Sequence, residues 1–206
     1  MLSARSFALW ATLIVAASCA RLVVTTATDP TPAGSGWQTY SELETGVAVN
    51  LPMRWRVVNP LRDISTQLDA IQPIDPGVKT RVNAFATNLR SSQVRFFAFD
   101  PVATPEGAIS LGFVTCRPAP PEGLEAYADR ISVAGTRLDG RETIAGNAGT
   151  MVLRRLTDTN ADLEVVRYQF ILIKGEQLCA LVLETSTKSL DGQAFRRIGT
   201  SFTPLP

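Results

Sequence analysis

The side chains of this 206-residue chain that could do chemistry are a few carboxylate clusters, a scatter of arginines and three cysteines. Glu42 and Glu44 have the proximity that glycoside hydrolysis asks of two carboxylates. In a strand, however, i and i+2 point to the same side, here at the tip of a hairpin, which suits solubility better than a cleft. Asp158, Asn160 and Asp162 place oxygens at alternate positions, as an EF-hand loop begins. That loop needs glycine at its sixth place and glutamate at its twelfth, where this chain has Leu163 and Gln169, so a polar turn is expected. Arg154, Arg155 and Arg167 could meet across adjacent strands, with Arg196 and Arg197 on a following helix, and grip phosphate or an acidic surface. Scattered solvent-facing arginines are the plainer expectation, and nothing interleaves them with aromatics as a nucleic-acid platform requires. The chain has no histidine, which removes Ser-His-Asp and Cys-His catalysis and every histidine-ligated metal. No phosphate loop, nucleophile elbow or Ser-x-x-Lys motif is present. The expectation is a protein that is not an enzyme and carries no cofactor.

The cysteines speak of address. Arg5 opens a short positive segment, and Phe7 to Ala17 is an apolar run too short to cross a bilayer readily. It ends in Ala16-Ala17-Ser18 directly before Cys19, an arrangement that resembles a bacterial lipobox, with Ala16 where leucine is usual. Residues 1–18 are therefore expected to be a lipoprotein-type signal peptide, with Cys19 lipidated. Residues 19–36, rich in Thr, Pro, Gly and Ser, then form a flexible tether, and 37–206 form the domain. The expected location is the outer face of the cell membrane. Cys116 and Cys179 remain in the domain, and an even pair outside the cytoplasm permits a disulfide. Both sit in apolar strand patterns, so two buried thiols are the alternative. A formal net charge of +1 gives no pull toward nucleic acid.

The elements that must position these residues centre on Leu163 to Ser186. Val166, Tyr168, Phe170 and Leu172 alternate with residues of the opposite face, and Gly175 supplies the reversal to Leu178–Leu183, a run apolar on both faces. Upstream, Trp37–Leu43 and Gly46–Leu51 form a hairpin and Trp55–Val58 a short strand. Asn59-Pro60 and Asp75-Pro76 signal two helix starts, with stripes at Leu61, Ile64, Leu68, Ile71 and at Val78, Val82, Phe85, Leu89. Strands at 93–100 and 110–117, a helix with Leu124, Tyr127, Ala128 and Ile131, and a loose pair at 142–144 and 149–156 follow. Ser189 is placed to cap a last helix striped by Leu190, Ala194, Ile198 and Phe202. Trp37, Trp55, Phe96, Phe97, Phe99 and Tyr168 read as core packing before they read as the lining of a ligand cavity. Short connections make the sheet mainly antiparallel. A central strand apolar on both sides asks for helices on both faces, giving an α/β/α sandwich (α+β).

The segment GVAVNLPMRWRV, in which a strand runs into Leu51-Pro52 and Trp55 follows, resembles the opening of PsbP-like domains. The segment AGNAGTMVLRRL, the long hairpin LEVVRYQFILIKGEQLCALVLETS and the ending at Ser201-Phe202 resemble their closing half. The resemblance spans roughly 37–204 and rests on pattern and order. It implies a fold shared by a photosystem II subunit, a Ran-binding nuclear-import factor and bacterial lipoproteins, and a non-enzymatic domain that binds or assembles proteins. No catalytic or metal residue is carried over.

Two functions remain in view. One is an envelope lipoprotein that binds a protein partner, or helps to assemble or maintain a membrane complex, held to the membrane through lipid on Cys19. The alternative is a carrier of an apolar small ligand, such as lipid, between sheet and helices.

Overall fold

The computed structural model describes residues 34–91, 93–158 and 163–206, with 86–91 as backbone. The signal segment, Cys19, most of the tether, and the oxygen-bearing run after Asp158 lie outside the described residues. The side chain of Leu89 does too.

The described residues form a mixed α+β structure with two antiparallel sheets and four helices. In order it runs β1 (Trp37–Glu42), β2 (Val47–Pro52), β3 (Arg56–Val58), α1 (Ile64–Ala70), α2 (Pro76–Ser91), β4 (Val94–Phe99) and β5 (Leu111–Pro118). It continues with α3 (Gly123–Arg130), β6 (Thr136–Gly146), β7 (Gly149–Asp158), β8 (Val165–Lys174), β9 (Gln177–Ser186), α4 (Gly192–Ser201) and β10 (Thr203–Pro204). Seven strands form the large sheet in the order β3-β4-β5-β9-β8-β7-β6, so β9 lies in its middle. The β8–β9 ladder pairs Val165 with Ser186 through to Lys174 with Gln177, and Gly175 turns it at φ 59°. The alternation that the sequence carries thus sets the register of the middle of the fold.

Neighbouring residues of β4 separate into different cores, as successive side chains of a strand must. Phe96 and Ala98 join Phe170, Leu172, Leu181 and Leu183 in a cluster completed by Val47, Val49, Phe195, Ile198 and Phe202. Phe97 and Phe99 join Ile64 and Leu68 of α1 and Val78 and Val82 of α2. A third cluster sets Tyr127 and Ala128 of α3 on Val152, Ile171 and Leu178. Phe96, Phe170 and Phe202 are fully buried, each contributing about 2–3 kcal/mol of apolar burial.

Several expectations need correction. The N-terminal hairpin does not extend the large sheet. It makes its own sheet in the order β1-β2-β10, pairing Ala48 with Thr203, and the Asn50 amide donates to Ser201 Oγ at 2.9 Å. Val47, Val49 and Leu51 can be buried only by facing α4 and the large sheet, which takes this hairpin out of the large-sheet ladder. Asn59-Pro60 does not start a helix: Asn59 Oδ1 accepts from the Leu61 amide in a turn, and Leu61 is exposed. Helix α1 begins four residues later, where Asp63 accepts from the Ser65 and Thr66 amides. Asp75 does open α2, accepting from Gly77 and Val78. The last helix is capped by Asp191, while Ser189 belongs to a 3-10 turn whose amide donates to Ser186 Oγ. Its buried face is Phe195, Ile198, Gly199 and Ser201, with Ala194 only half-buried. Strand β6 is far longer than the pair at 142–144. Lying at an edge with most side chains exposed, it carries the charges that protect edges and no apolar pattern to betray it.

Candidate binding clefts at the α3 side and the sheet end

A cleft of about 640 Å³ opens between α3 and the middle of the large sheet. Its floor follows from register: Thr115 lies beside Ala180, Ala180 beside Ile171, and Val182 beside Gln169. Ala180 and Thr115 are small, so the floor is recessed between larger neighbours. Helix α3 forms one wall. Pro120 and Pro121 end the preceding strand, Gly123 enters at φ 83°, and Tyr127 and Ala128 seat the helix on Val152, Ile171 and Leu178. Glu125 fixes it laterally, pairing with Arg141 and accepting from Thr143 Oγ1 at 2.9 Å.

The rim is cationic. Arg117 lies over the Tyr127 ring at 4.5 Å and Arg130 at 5.8 Å, both in the range of cation–π attraction. Arg130 is also paired with Glu122, whose carboxyl is held below its usual range by that bond first. Behind the floor lies Arg154, only 3% exposed. It donates from Nη1 to Gln169 Oε1 at 3.0 Å and from Nη2 to the Ile131 carbonyl at 2.9 Å, and its Nε is buried without an acceptor. Burial pulls its guanidinium below the usual arginine range.

A second groove, of about 810 Å³, lies at the end of the sheet where β4 begins and β5 ends. Pro60, Leu61, Arg95, Pro118, Glu176 and Gln177 line it, and it shares Gln93, Cys116 and Arg117 with the α3 cleft. Gln93 is held at φ 56°, a left-handed conformation that non-glycine residues rarely adopt. A neighbouring hollow bounded by Leu43, Lys174 and Leu205 extends the same end, and exposed Leu43 and Leu61 stand at the rims. A smaller apolar pocket of about 270 Å³ lies beside α2, between Val82, Phe85, Phe97, Ile109 and Val165.

Cys116 and Cys179 are register partners on β5 and β9, and their sulfurs are bonded. The arginines do not gather. Arg154 is buried, Arg167 pairs with Glu184 at 2.5 Å, Arg196 pairs with Glu142, and Arg197 lies over Trp37. Strand pleating sends Arg154 and Arg155 to opposite sides, and each of the others is engaged locally. Glu42 and Glu44 do share a side, and both engage Arg62. The Tyr40 hydroxyl donates to Glu42, and burial, then that bond, push its pKa above the ordinary tyrosine range. Trp55, Phe96, Phe97, Phe99 and Tyr168 pack in the cores; Trp37 is half-buried against the first. Among the described residues no group of His, Cys, Asp and Glu could hold a metal ion, and no helix is long and apolar enough to cross a membrane.

The cleft residues Gln93, Arg117, Arg130, Arg154 and Gln169 were not singled out from sequence as one site. The available signal was a polar residue interrupting an apolar strand, Arg154 in MVLRRL and Gln169 in YQFIL, because such a residue in a buried position needs partners.

No protein-family model and no curated protein matches the chain. Among solved structures it is similar to the solution structure of cyanobacterial PsbP (CyanoP) from Synechocystis sp. PCC 6803. The two are 13% identical with a TM-score of 0.46, over 84% of this chain and 94% of that one. That structure comes from the family that the opening and closing segments of the sequence resemble.

Proposed function

We propose that the chain is a non-catalytic envelope lipoprotein, tethered to the membrane through lipid on Cys19, whose domain binds a protein partner in assembling or maintaining a membrane complex. The observation that carries the binding role is the open end of the large sheet. There the 810 Å³ groove is flanked by Leu61, 58% exposed, and Leu43, 75% exposed, with Arg95, Arg117 and Lys174 close by. Apolar anchors inside a charged rim are the make-up of a protein interface, and with Glu44 and Glu176 beside the cations this one fits a partner whose apolar side chains are flanked by charges of both signs. In our reading the domain is an α/β/α sandwich, α4 and the small sheet forming one layer and α1 to α3 the other. The bonded Cys116–Cys179 pair supports an address outside the cytoplasm.

The test is site-directed photocrosslinking in native membranes, from Leu61, Leu43 and, as a control at the other end of the sheet, Val102. A discrete adduct from the first two, absent from Val102 and lost in Leu61→Asp with an unchanged fold, is expected. Equal adducts from all three positions remove the docking role. The anchor is tested by palmitate-analogue labelling, which Cys19→Ser should abolish; equal labelling of both overturns it.

A second reading, a carrier of an apolar small ligand, is favoured by the cleft under α3 and the apolar pocket beside α2, both between sheet and helix.

A further inference from the structure

We propose that the cleft between α3 and strands β5, β9 and β8 binds a phosphate-bearing amphiphile. The phosphate would meet Arg117, Arg130 and Gln169, and the apolar body would lie over Ile171, Ala180 and Val182. This deepens the carrier reading and rests on it.

Three observations converge. The lining is divided, with Ile171, Leu178, Ala180 and Val182 making an apolar floor and Arg117, Arg130, Gln93 and Ser132 a donor-rich rim. Arg117 makes no close ion pair among the described residues, although its charge acts on Glu122, and it lies against the Tyr127 ring. Glu122 is itself paired with Arg130.

The third observation is buried. Arg154 is a cation whose acceptors, Gln169 Oε1 and the Ile131 carbonyl, are both neutral, and both residues line the cleft. Asp129, itself paired with Arg141, acts on it only from a distance, so the buried charge is incompletely balanced and costly. Because Gln169 Oε1 faces Arg154, its Nε2 donor is left for the cleft. The wall therefore transmits the arginine's field and presents a donor to whatever anion enters, in a site where low-dielectric walls strengthen the attraction. Two guanidinium groups, an amide and the Ser132 hydroxyl in one lining supply more donors than the two oxygens of a carboxylate use, which suits a phosphate better.

The test uses the full chain in phosphatidylcholine nanodiscs, with methyl NMR on Ile131, Ile171 and Val182. The titrants are hexyl phosphate, hexanol and inorganic phosphate. Saturable shifts of these three methyls by hexyl phosphate are expected, with hexanol weaker by about tenfold or more. Arg117→Gln should weaken hexyl phosphate by a similar factor. Arg196→Gln, on α4 and paired with Glu142, should not change it. Competition by inorganic phosphate would make free phosphate or its esters the natural source, and its failure to compete would make a lipid headgroup the source; both results support the site. If hexanol binds as tightly as hexyl phosphate, the anion site is overturned while the apolar carrier stands. If nothing shifts these methyls up to roughly 10 mM, beyond any specific affinity, the cleft is no ligand site and the carrier reading keeps only the pocket beside α2.

Discussion

Opening the bond between Cys116 and Cys179 is the perturbation whose size the structure defines best. The two residues are 63 positions apart in sequence yet face each other in an eight-pair β5–β9 ladder. That ladder holds the folded strands together whether or not the sulfurs are joined, so the bond acts mainly by restricting the unfolded chain. A loop of this length corresponds to about 4 kcal/mol of closure entropy. At about 2–4 °C per kcal/mol for a domain of this size, reduction should lower Tm by roughly 8–16 °C. Cys116→Ala/Cys179→Ala should match reduced wild type apart from a small further loss, since Cys179 is fully buried and Cys116 nearly so. The assay is thermal and urea unfolding with and without dithiothreitol, with thiols counted by a maleimide probe on protein taken from the envelope under acid quench. Two reactive thiols in unreduced, unfolded protein, or oxidised and reduced melts that coincide, would refute the reasoning. Because Cys116 lines both clefts, reduction should also broaden the methyl resonances of Ala180 and Val182 before global unfolding.

The other predictions concern single positions. A Cβ on Gly199 would overlap the Phe170 ring, itself fully buried, so Gly199→Ala should cost ~1–3 kcal/mol in urea despite the helix propensity it gains. A stabilised variant would mean that α4 does not seat on Phe170. Gln93→Gly should raise stability by about 1 kcal/mol by relieving the left-handed backbone, and Gln93→Val should lower it; the reverse order in urea midpoints refutes the assigned conformation. The raised pKa of Tyr40 favours the neutral phenol in the folded state. Its contribution is therefore fully present below the unfolded value of about 10 and is lost as pH rises through the folded one. Absorbance titration of folded wild type should show one late phenol that Tyr40→Phe removes, and a tyrosine titration identical in the two proteins defeats the assignment.

What could be read from sequence, and what could not, divides on a physical line. The β8–β9 hairpin was legible because every second residue had to be apolar for one core, and Gly175 was needed to reverse the chain. Helix α2 was legible because Asp75-Pro76 is both a cap and a start, whereas Asn59-Pro60 failed as the same signal because Asn59 could satisfy the Leu61 amide in an isolated turn. Strand β6 was hidden: an edge strand exposed along most of its length carries no periodic burial, so nothing in Thr136–Arg141 marks it. The small sheet was hidden for another reason. Its third strand is Thr203–Pro204, two residues recognisable only once α4 has brought Ser201 to the Asn50 amide.

The α3 cleft combines both kinds of concealment, and that bears on where function lies in this chain. Arg117 ends one strand, Arg130 ends a helix and Gln169 interrupts another strand, so no local pattern links them; only the β5–β9–β8 register and the seat of Tyr127 do. Arg154 is the exception, since an arginine inside an apolar strand needs an explanation from sequence alone. Its replacement separates the two explanations available. If Arg154 is present only to tie Gln169 and the Ile131 carbonyl, Arg154→Met should leave those acceptors unsatisfied, lower stability and leave hexyl phosphate affinity almost unchanged in the folded fraction. If it charges the cleft, the same substitution also removes a buried cation, so the stability loss shrinks or reverses while phosphate affinity falls. A fall in phosphate affinity of the folded protein is the signature of a residue kept for its ligand, and lost stability at unchanged affinity would assign Arg154 to the scaffold.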